Sequence, residues 1–319
     1  MRTFSQLDSK KQQNFYVEIF DLKKQSLGYK KIIKKFKDEK QVKLSLGTLS
    51  YWFNHDVKII GGENYFVPEA SSELSYVLGV MFGDGSLIVN TKRKEYVLKL
   101  EAIDRDFVEK FSGCSSKLLK KEKSFAVCYK KPRRGHSATY SVQVRSKKLF
   151  NFVKEIKKDF ENGKKFIEKF PAKFIQGLAD SEGCPSISAA TNFNCDVMVA
   201  CSTNFSLLEF VKYLLKFFGI KSNLYLHKHK GESDSKINGR VITRTIDLFV
   251  LYISKDAMVK NFAKNINFSI KRKSEKLEDA VFLLNNYKKS ERLSKWKDGY
   301  WKVGNKWVKQ QTKWFSSID

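Results

Sequence analysis

VLGVMFGDG at 77–85 and IQGLADSEG at 175–183 follow one pattern, and reading them together decides the fold. Each is an apolar, helix-like run with Gly at its third position and a small residue at its seventh. A carboxylate stands at the eighth and Gly at the ninth. The acids are Asp84 and Glu182, and 182 − 84 = 98, so a unit of about a hundred residues is written twice. Residues four apart lie on one helical face. Gly79 with Gly83, and Gly177 with Ser181, therefore give each helix a smooth stripe along which two backbones can meet. Two helices packed through these stripes bring their C-terminal ends, and hence the two acids, together. Carboxylates so placed either repel and raise a pKa or share divalent cations. Helix C-termini favour a cation, and hard oxygen donors without His or Cys suit Mg2+.

The flanking segments repeat as well. After the first motif, strand-like runs at 86–91 and 96–102 precede a helix from Asp104 to Leu119. Strands at 124–131 and 138–145 follow, with a helix opening at Ser146. In TYSVQVR the residues Tyr140, Val142 and Val144 alternate with Ser141, Gln143 and Arg145, the period of a half-buried strand. After the second motif come strands at 186–190 and 196–202, a helix from Ser206 to Phe218, strands at 222–229 and 241–253, and a helix from Ser254. The Ser-Lys pairs opening the last helices differ by 255 − 147 = 108. The ten extra residues are assigned to a longer loop around KHKGESDSKINGR.

Ahead of the repeats, residues 11–55 read as three short helices. Phe15, Ile19 and Leu22 mark one apolar face, and Tyr29, Ile32, Ile33 and Phe36 a second. The third starts at Ser45, a good N-cap. It is expected to bury Leu46, Leu49 and Phe53 and to leave Thr48, Ser50, Tyr51 and Asn54 outward. Such a basic trihelical unit fits a helix-turn-helix, with Thr48, Ser50 and Tyr51 facing a DNA groove, or a small protein-binding bundle. Gly61-Gly62 through Pro68 reads as the linker. Beyond the repeats, a helix near 274–290 precedes a hairpin turning at Gly304-Asn305. Trp301 and Trp307 either pack on the body or stack on nucleic acid. The boundaries expected are 1–67, 68–160, 161–270 and a basic C-terminal extension at 271–319.

The 319 residues carry 61 Lys plus Arg against 34 Asp plus Glu, a net charge of +27. The excess runs through all four segments. A folded chain basic throughout repels itself unless a polyanion neutralises it, so nucleic acid is the expected partner. No apolar run has the length of a membrane span, and no signal-peptide core is visible; a cytoplasmic, nucleoid or organelle-interior protein is expected. Five cysteines without CxxC spacing indicate neither a zinc site nor a disulfide framework. They read as reduced, mostly buried thiols.

With both motifs and their repeats in hand, the chain resembles a single-chain, two-repeat LAGLIDADG homing endonuclease over roughly residues 70–270. The resemblance implies an α+β fold of two pseudo-symmetric αββαββα repeats, with motif helices at their interface. Two four-stranded sheets then form a saddle on double-stranded DNA. It implies that Asp84 and Glu182 hold Mg2+, or Mn2+ in its place, with the carbonyls of Gly83 and Ser181 as further ligands. Opposite strands would be cut to leave 3′ overhangs. Lys147 and Lys255, at the starts of the last helices, correspond to the basic residues that organise water in the family; a lysine there is also commonly just solvated. DNA-facing sheet residues would be Lys92, Arg93, Lys99, Lys130, Arg133, Arg134, Gln143 and Arg145 in the first repeat, and Ser188, Asn192, Lys228, Lys230, Arg240 and Arg244 in the second. Departures are Val77, Phe82 and Gln176 within the motifs and Glu182 in place of Asp. Ala102 or Glu101 stands where some members carry a polar residue, and its role stays unassigned. The function implied is a monomeric, Mg2+-dependent, site-specific, intron-encoded DNA endonuclease. The alternatives are a non-catalytic DNA-binding regulator and a maturase acting on its own intron RNA.

Overall fold

The computed structural model describes residues 1–7, 9–54, 66–92, 95–132, 137–237, 240–304 and 306–310. The expected linker at 61–62 lies outside them, as does Asn305 of the C-terminal turn. The chain divides into two compact units, residues 1–67 with 119–122, and residues 68–118 with 123–319. Among the described residues no helix is long and apolar enough to cross a membrane.

The first unit comprises β1 (Arg2–Thr3), α1 (Ser9–Lys24), α2 (Tyr29–Lys40), β2 (Val42–Lys43) and α3 (Leu46–Asn54), with β1 and β2 paired in parallel. Ile19, Leu22, Ile32, Phe36, Leu44, Leu49 and Trp52 form its core. The Ser45 side chain caps α3 by accepting from the Thr48 N–H at 3.0 Å. The apolar face of α3 differs from the expected one: Leu46 is 51 % exposed, whereas Trp52 is buried. The larger indole wins the interior position because rings are ready to receive it, Phe4 at 4.8 Å and Tyr16 at 5.3 Å, both edge-on. Phe53 is left half-buried, stacked on Tyr29.

In the second unit, the first repeat runs α4 (Ser72–Phe82), β3 (Ser86–Asn90), β4 (Glu95–Ala102), α5 (Arg105–Leu118), β5 (Cys128–Lys130), β6 (Thr139–Arg145) and α6 (Lys147–Lys158). A short helix, α7 (Glu161–Ile167), leads to the second repeat. There follow α8 (Pro171–Glu182), β7 (Cys184–Ala189), β8 (Phe193–Ser202), α9 (Phe205–Lys216), β9 (Asn223–Lys228), β10 (Ser233–Ile237), β11 (Arg240–Thr243), β12 (Leu248–Ile253) and α10 (Asp256–Asn265). Each repeat builds a four-stranded antiparallel sheet, ordered β3-β4-β6-β5 in the first and β7-β8-β12-β9 in the second. The α+β fold of two αββαββα units is therefore present.

Two expected strands changed. The run at 124–131 contracts to β5, because α5 captures the backbone of its first part: Ser112 Oγ donates to the Phe125 carbonyl at 2.7 Å and the Phe125 N–H donates to Ser116 Oγ at 3.1 Å. Backbone groups satisfied by side chains have no ladder to join. The single strand expected over 241–253 is two, since β11 turns back to pair with β10. The insertion in the second repeat is thus a hairpin and not a plain loop.

After α10 come α11 (Lys271–Asn286), α12 (Arg292–Gly299), β13 (Tyr300–Val303) and β14 (Lys306–Lys309). The last two pair as the expected hairpin. This segment is anchored in the body of the unit. Leu277, Ala280, Leu283 and Leu284 are buried, and so is Trp296, which stacks on Tyr300 at 3.9 Å and meets Phe193 of β8 at 5.3 Å. Trp307 is half-buried beside Trp296, but Trp301 is 59 % exposed.

Candidate nuclease site at the motif-helix seam

The motif helices α4 and α8 meet backbone to backbone. A Cβ built on Gly79 would stand 2.2 Å from the Phe174 carbonyl oxygen and 2.9 Å from the Leu178 nitrogen. One built on Gly177 would stand 2.4 Å from the Tyr76 carbonyl oxygen and 3.1 Å from the Val80 nitrogen. These partners are related by the motif offset: 174 − 76, 178 − 80 and 177 − 79 are all 98. The seam has the two-fold pseudo-symmetry expected of the duplicated sequence.

Towards the C-terminal ends the same stripe continues. Gly83 lies against Ser181 and Glu182, its hypothetical Cβ 2.3 Å from Ser181 Cβ and 3.2 Å from Glu182 Cγ. Ser181 Oγ turns inward and donates to the Gly177 carbonyl at 3.1 Å. After Phe82 and Glu182 both helices stop and the chain swings into β3 and β7. Gly183 is required there, because a Cβ would sit within 2.8 Å of three carbonyl oxygens, those of Met198, Val199 and Ala179.

The close helix ends make the acids electrostatic neighbours. Partial burial pushes the Asp84 carboxyl above its usual range, with Lys273 pulling against it. Burial likewise raises Glu182, the charge of Asp84 raises it further, and Lys273 again opposes. Among the described residues neither carboxylate takes a hydrogen bond or an ion pair, and no group of three or more His, Cys, Asp or Glu side chains gathers to hold a metal. The donors on offer are these two carboxylates and nearby main-chain carbonyls.

Lys273 was missed in the sequence. It is 6 % exposed, on the first turn of α11, and donates to the Asp180 carbonyl at 2.5 Å and the Ala179 carbonyl at 3.4 Å. Burial lowers its pKa, against the pull of Asp180. A buried network fixes the start of that helix. Asp180 Oδ2 accepts from the Tyr76 hydroxyl at 2.9 Å and from Ser269 Oγ, while Oδ1 accepts from the Ser269 N–H at 2.8 Å. In the first repeat Lys157 donates to the Met81 carbonyl at 2.5 Å. Since 179 − 81 is also 98, the two lysines approach matching carbonyls, one from the end of α6 and the other from the start of α11. Gln176, an oddity in motif 2, accepts from Lys110 Nζ at 2.8 Å and donates to the Ile266 carbonyl at 2.8 Å. Of the two lysines that open the last helices, Lys147 has its Nζ 5.2 Å from the centroid of the Tyr96 ring, and Lys255 is exposed at the N-cap of α10.

The outer face of the first sheet gathers Lys99, Gln143, Arg145 and Lys130. Lys99 on β4 is opposite Gln143 on β6, and Lys130 on β5 is opposite Thr139. Lys92 is exposed at the β3–β4 turn. Ser188 is exposed on β7, and Asn192 at the following turn. Lys230 is exposed, whereas Lys228 and Arg244 are half-buried about the root of the β10–β11 hairpin. Arg93, Arg133 and Arg134, and the side chain of Arg240, lie outside the described residues. In α3, Tyr51 is exposed; the Thr48 hydroxyl is bonded to Ser45 and that of Ser50 accepts from Asn54.

Residues 169–267 match the family model of the LAGLIDADG-like domain. MJ0398, an uncharacterized protein of Methanocaldococcus jannaschii, is 31 % identical over 257 residues, 81 % of this chain and 89 % of that protein. The chain belongs to the LAGLIDADG family. MJ0314 of the same organism is 30 % identical over 160 residues, half of this chain and 59 % of that protein. Among solved structures, that of I-DmoI in complex with DNA and Ca has a TM-score of 0.44 and 20 % identity, covering 66 % of this chain and 99 % of that one. The LAGLIDADG motifs of this chain are α4 and α8 with the glycine turns that close them.

Proposed function

We propose that this protein is a divalent-metal-dependent, site-specific double-strand DNA endonuclease. The observation that supports the reading is the glycine seam, which makes Asp84 and Glu182 electrostatic neighbours that take no hydrogen bond or ion pair among the described residues. Two neighbouring carboxylates, Asp84 open to solvent and Glu182 half-buried, with the Gly83 and Ser181 carbonyls one residue before them, make a hard-oxygen donor set suited to Mg2+, with Mn2+ as a substitute. Asp84 and Glu182 would hold such an ion, which would supply Lewis acidity toward the attacking water and the scissile phosphate.

The chain's own groups supply the rest. Asp84 and Glu182 hold the metal. Lys273, acting on both acids from a buried position, organises the second-repeat side, and Lys157 is its counterpart at the first. Lys147 and Lys255, at the mouths of the last helices, act as phosphate contacts. Double-stranded DNA lies across the outer faces of the two sheets, where side chains such as Gln143 and Arg145 reach base edges and the lysines mainly meet phosphates. The first unit reads or grips flanking DNA through Thr48, Ser50 and Tyr51 of α3. One chain supplies both acids, so a monomer suffices. The boundaries 1–67, 68–160, 161–270 and 271–319 divide it into grip, two repeats and a supporting C-terminal segment.

The test incubates the protein with DNA spanning a candidate insertion junction, with and without Mg2+, beside Asp84→Asn and Glu182→Gln. Cutting by the wild type alone, only with metal, and binding by all three are expected. Cutting that survives either substitution overturns the site. Binding without any cutting points to a DNA-binding regulator or an intron-RNA maturase.

A further inference from the structure

The surface proposed to meet a polyanion carries a carboxylate near its middle. Glu101 sits on the central strand β4, opposite Ser141 of β6, which in turn is opposite Cys128 of β5. Strand alternation sets it on the outer face with Lys99, Gln143 and Lys130, away from Leu98 and Leu100 in the core. Its Oε2 accepts from both ammonium groups, Lys99 Nζ at 2.6 Å and Lys130 Nζ at 2.5 Å, and its Oε1 accepts from the Thr139 hydroxyl at 3.0 Å. The lysines, Lys130 first and then Lys99, hold the Glu101 carboxyl far below the usual range, at about 2. A negative charge here weakens attraction to phosphates, so affinity gives no reason for it.

We infer that Glu101 is a positioning residue for base selection: it clasps Lys99 and Lys130 into one pair of donors directed at guanine in the major groove, and withholds both from the phosphates. The inference rests on the DNA-endonuclease reading. Two nitrogens bonded to one oxygen at 2.6 and 2.5 Å are no more than about 5 Å apart. Free ammonium groups would not stay so close, because like charges separate; the shared carboxylate removes the repulsion. Each ammonium carries three protons and spends one on Oε2, leaving two to donate. Guanine offers two acceptors in the major groove, O6 and N7, whereas adenine pairs an acceptor with a donor and cytosine offers a donor. A close pair of donors therefore favours guanine, or two stacked guanines about 3.4 Å apart along a strand. With three of its lone-pair sites engaged, Glu101 is a clasp and not itself the reader.

The test measures binding by the full chain without divalent metal. Wild type, Glu101→Gln and the double variant Lys99→Met/Lys130→Met are each used to select sites from a random duplex pool, and their affinity for unselected duplex is followed against salt. For Glu101→Gln, unselected DNA should bind tighter, and the log–log salt slope should steepen by about 0.9 to 1.8 as one or two lysines move to phosphates. A guanine step selected by the wild type should relax in both variants, and the double variant should bind unselected DNA no more tightly than the wild type. Unchanged melting temperatures would separate this from a folding defect. An unaltered slope and consensus overturns the inference, as does loss of a preferred cytosine at an unchanged slope, which would make Glu101 the reader. Failure of the wild type to bind duplex DNA overturns the endonuclease reading along with it.

Discussion

Replacing Gly177 with Ala tests whether the seam sets the catalytic geometry. The added methyl would lie 2.4 Å from the Tyr76 carbonyl oxygen, and ordinary contact begins at 3.4 Å, so α4 and α8 must separate by ~1 Å. Neither side can yield by rotating a bond, because a backbone carbonyl is the obstacle. Overpacking a tight interior costs about 1–3 kcal/mol, and here the upper end applies. Ala in place of Gly within a helix returns about 1 kcal/mol. A net loss of about 2 kcal/mol should lower the melting temperature of the second unit by roughly 4–8 °C. Gly79→Ala, with its obstacle at 2.2 Å, should cost at least as much. The double variant should cost less than the sum, since the first separation makes room for the second methyl. Displacing the acids by ~1 Å should slow cutting about a hundredfold while metal-free DNA binding changes little. Thermal unfolding and single-turnover cutting on one DNA substrate measure both effects. If Gly177→Ala melted at or above the wild-type temperature, only the helix-propensity gain would be visible and the reasoning would be refuted.

Other outcomes follow from the same site. Asp84 and Glu182 have raised carboxyl pKa values, so their contribution to stability is present below the unfolded-state values and lost as pH rises through the folded ones. Metal-free protein should therefore melt lower at neutral than at mildly acidic pH by more than Asp84→Asn or Glu182→Gln does, and Mg2+ should narrow that gap; parallel pH profiles for all three would count against it. Lys273→Met should reduce cutting by about a hundredfold or more, the scale of a lost acid–base or electrostatic group, whereas Lys147→Met and Lys255→Met should act mainly on DNA affinity; equal losses of turnover in all three would contradict the assignment. Exposed Cys128, on the outer face of β5, should react readily with a thiol reagent and be shielded by duplex DNA, while Cys195, buried and pushed up to about 12, should stay unreactive until unfolding. Labelling of Cys128 that ignores DNA would remove that face from the binding surface.

The repeat, the order of helices and strands along it and the helix seam were legible because they rest on short-range periodicity and on glycine spacing, both written locally in the chain. What escaped was set by partners distant in sequence. Trp52 displaced Leu46 from the core because Phe4 and Tyr16 wait for it. The expected strand at 124–131 was cut short by two serines of the preceding helix. Of the thiols expected to be mostly buried, Cys195 is buried, Cys114, Cys184 and Cys201 are half-buried, and Cys128 is left exposed by the edge strand β5. Lys273 hid just past the end assigned to the second repeat, in a run of basic residues where nothing local separates it from Lys271 or Arg272. Only the Asp180–Ser269–Tyr76 network, drawing on the two motif helices and the connection ahead of α11, shows why it turns inward.

At Gly79 and Gly177 the seam between the motif helices closes on main chain, so a side chain added there is blocked by atoms that cannot move out of the way. The outer faces of the sheets carry no such restriction, for their residues meet solvent and one another. On the proposed function, chemistry and choice of target would thus be written on different parts of the molecule, and a descendant could be retargeted by redrawing its strands while the cutting centre stayed untouched.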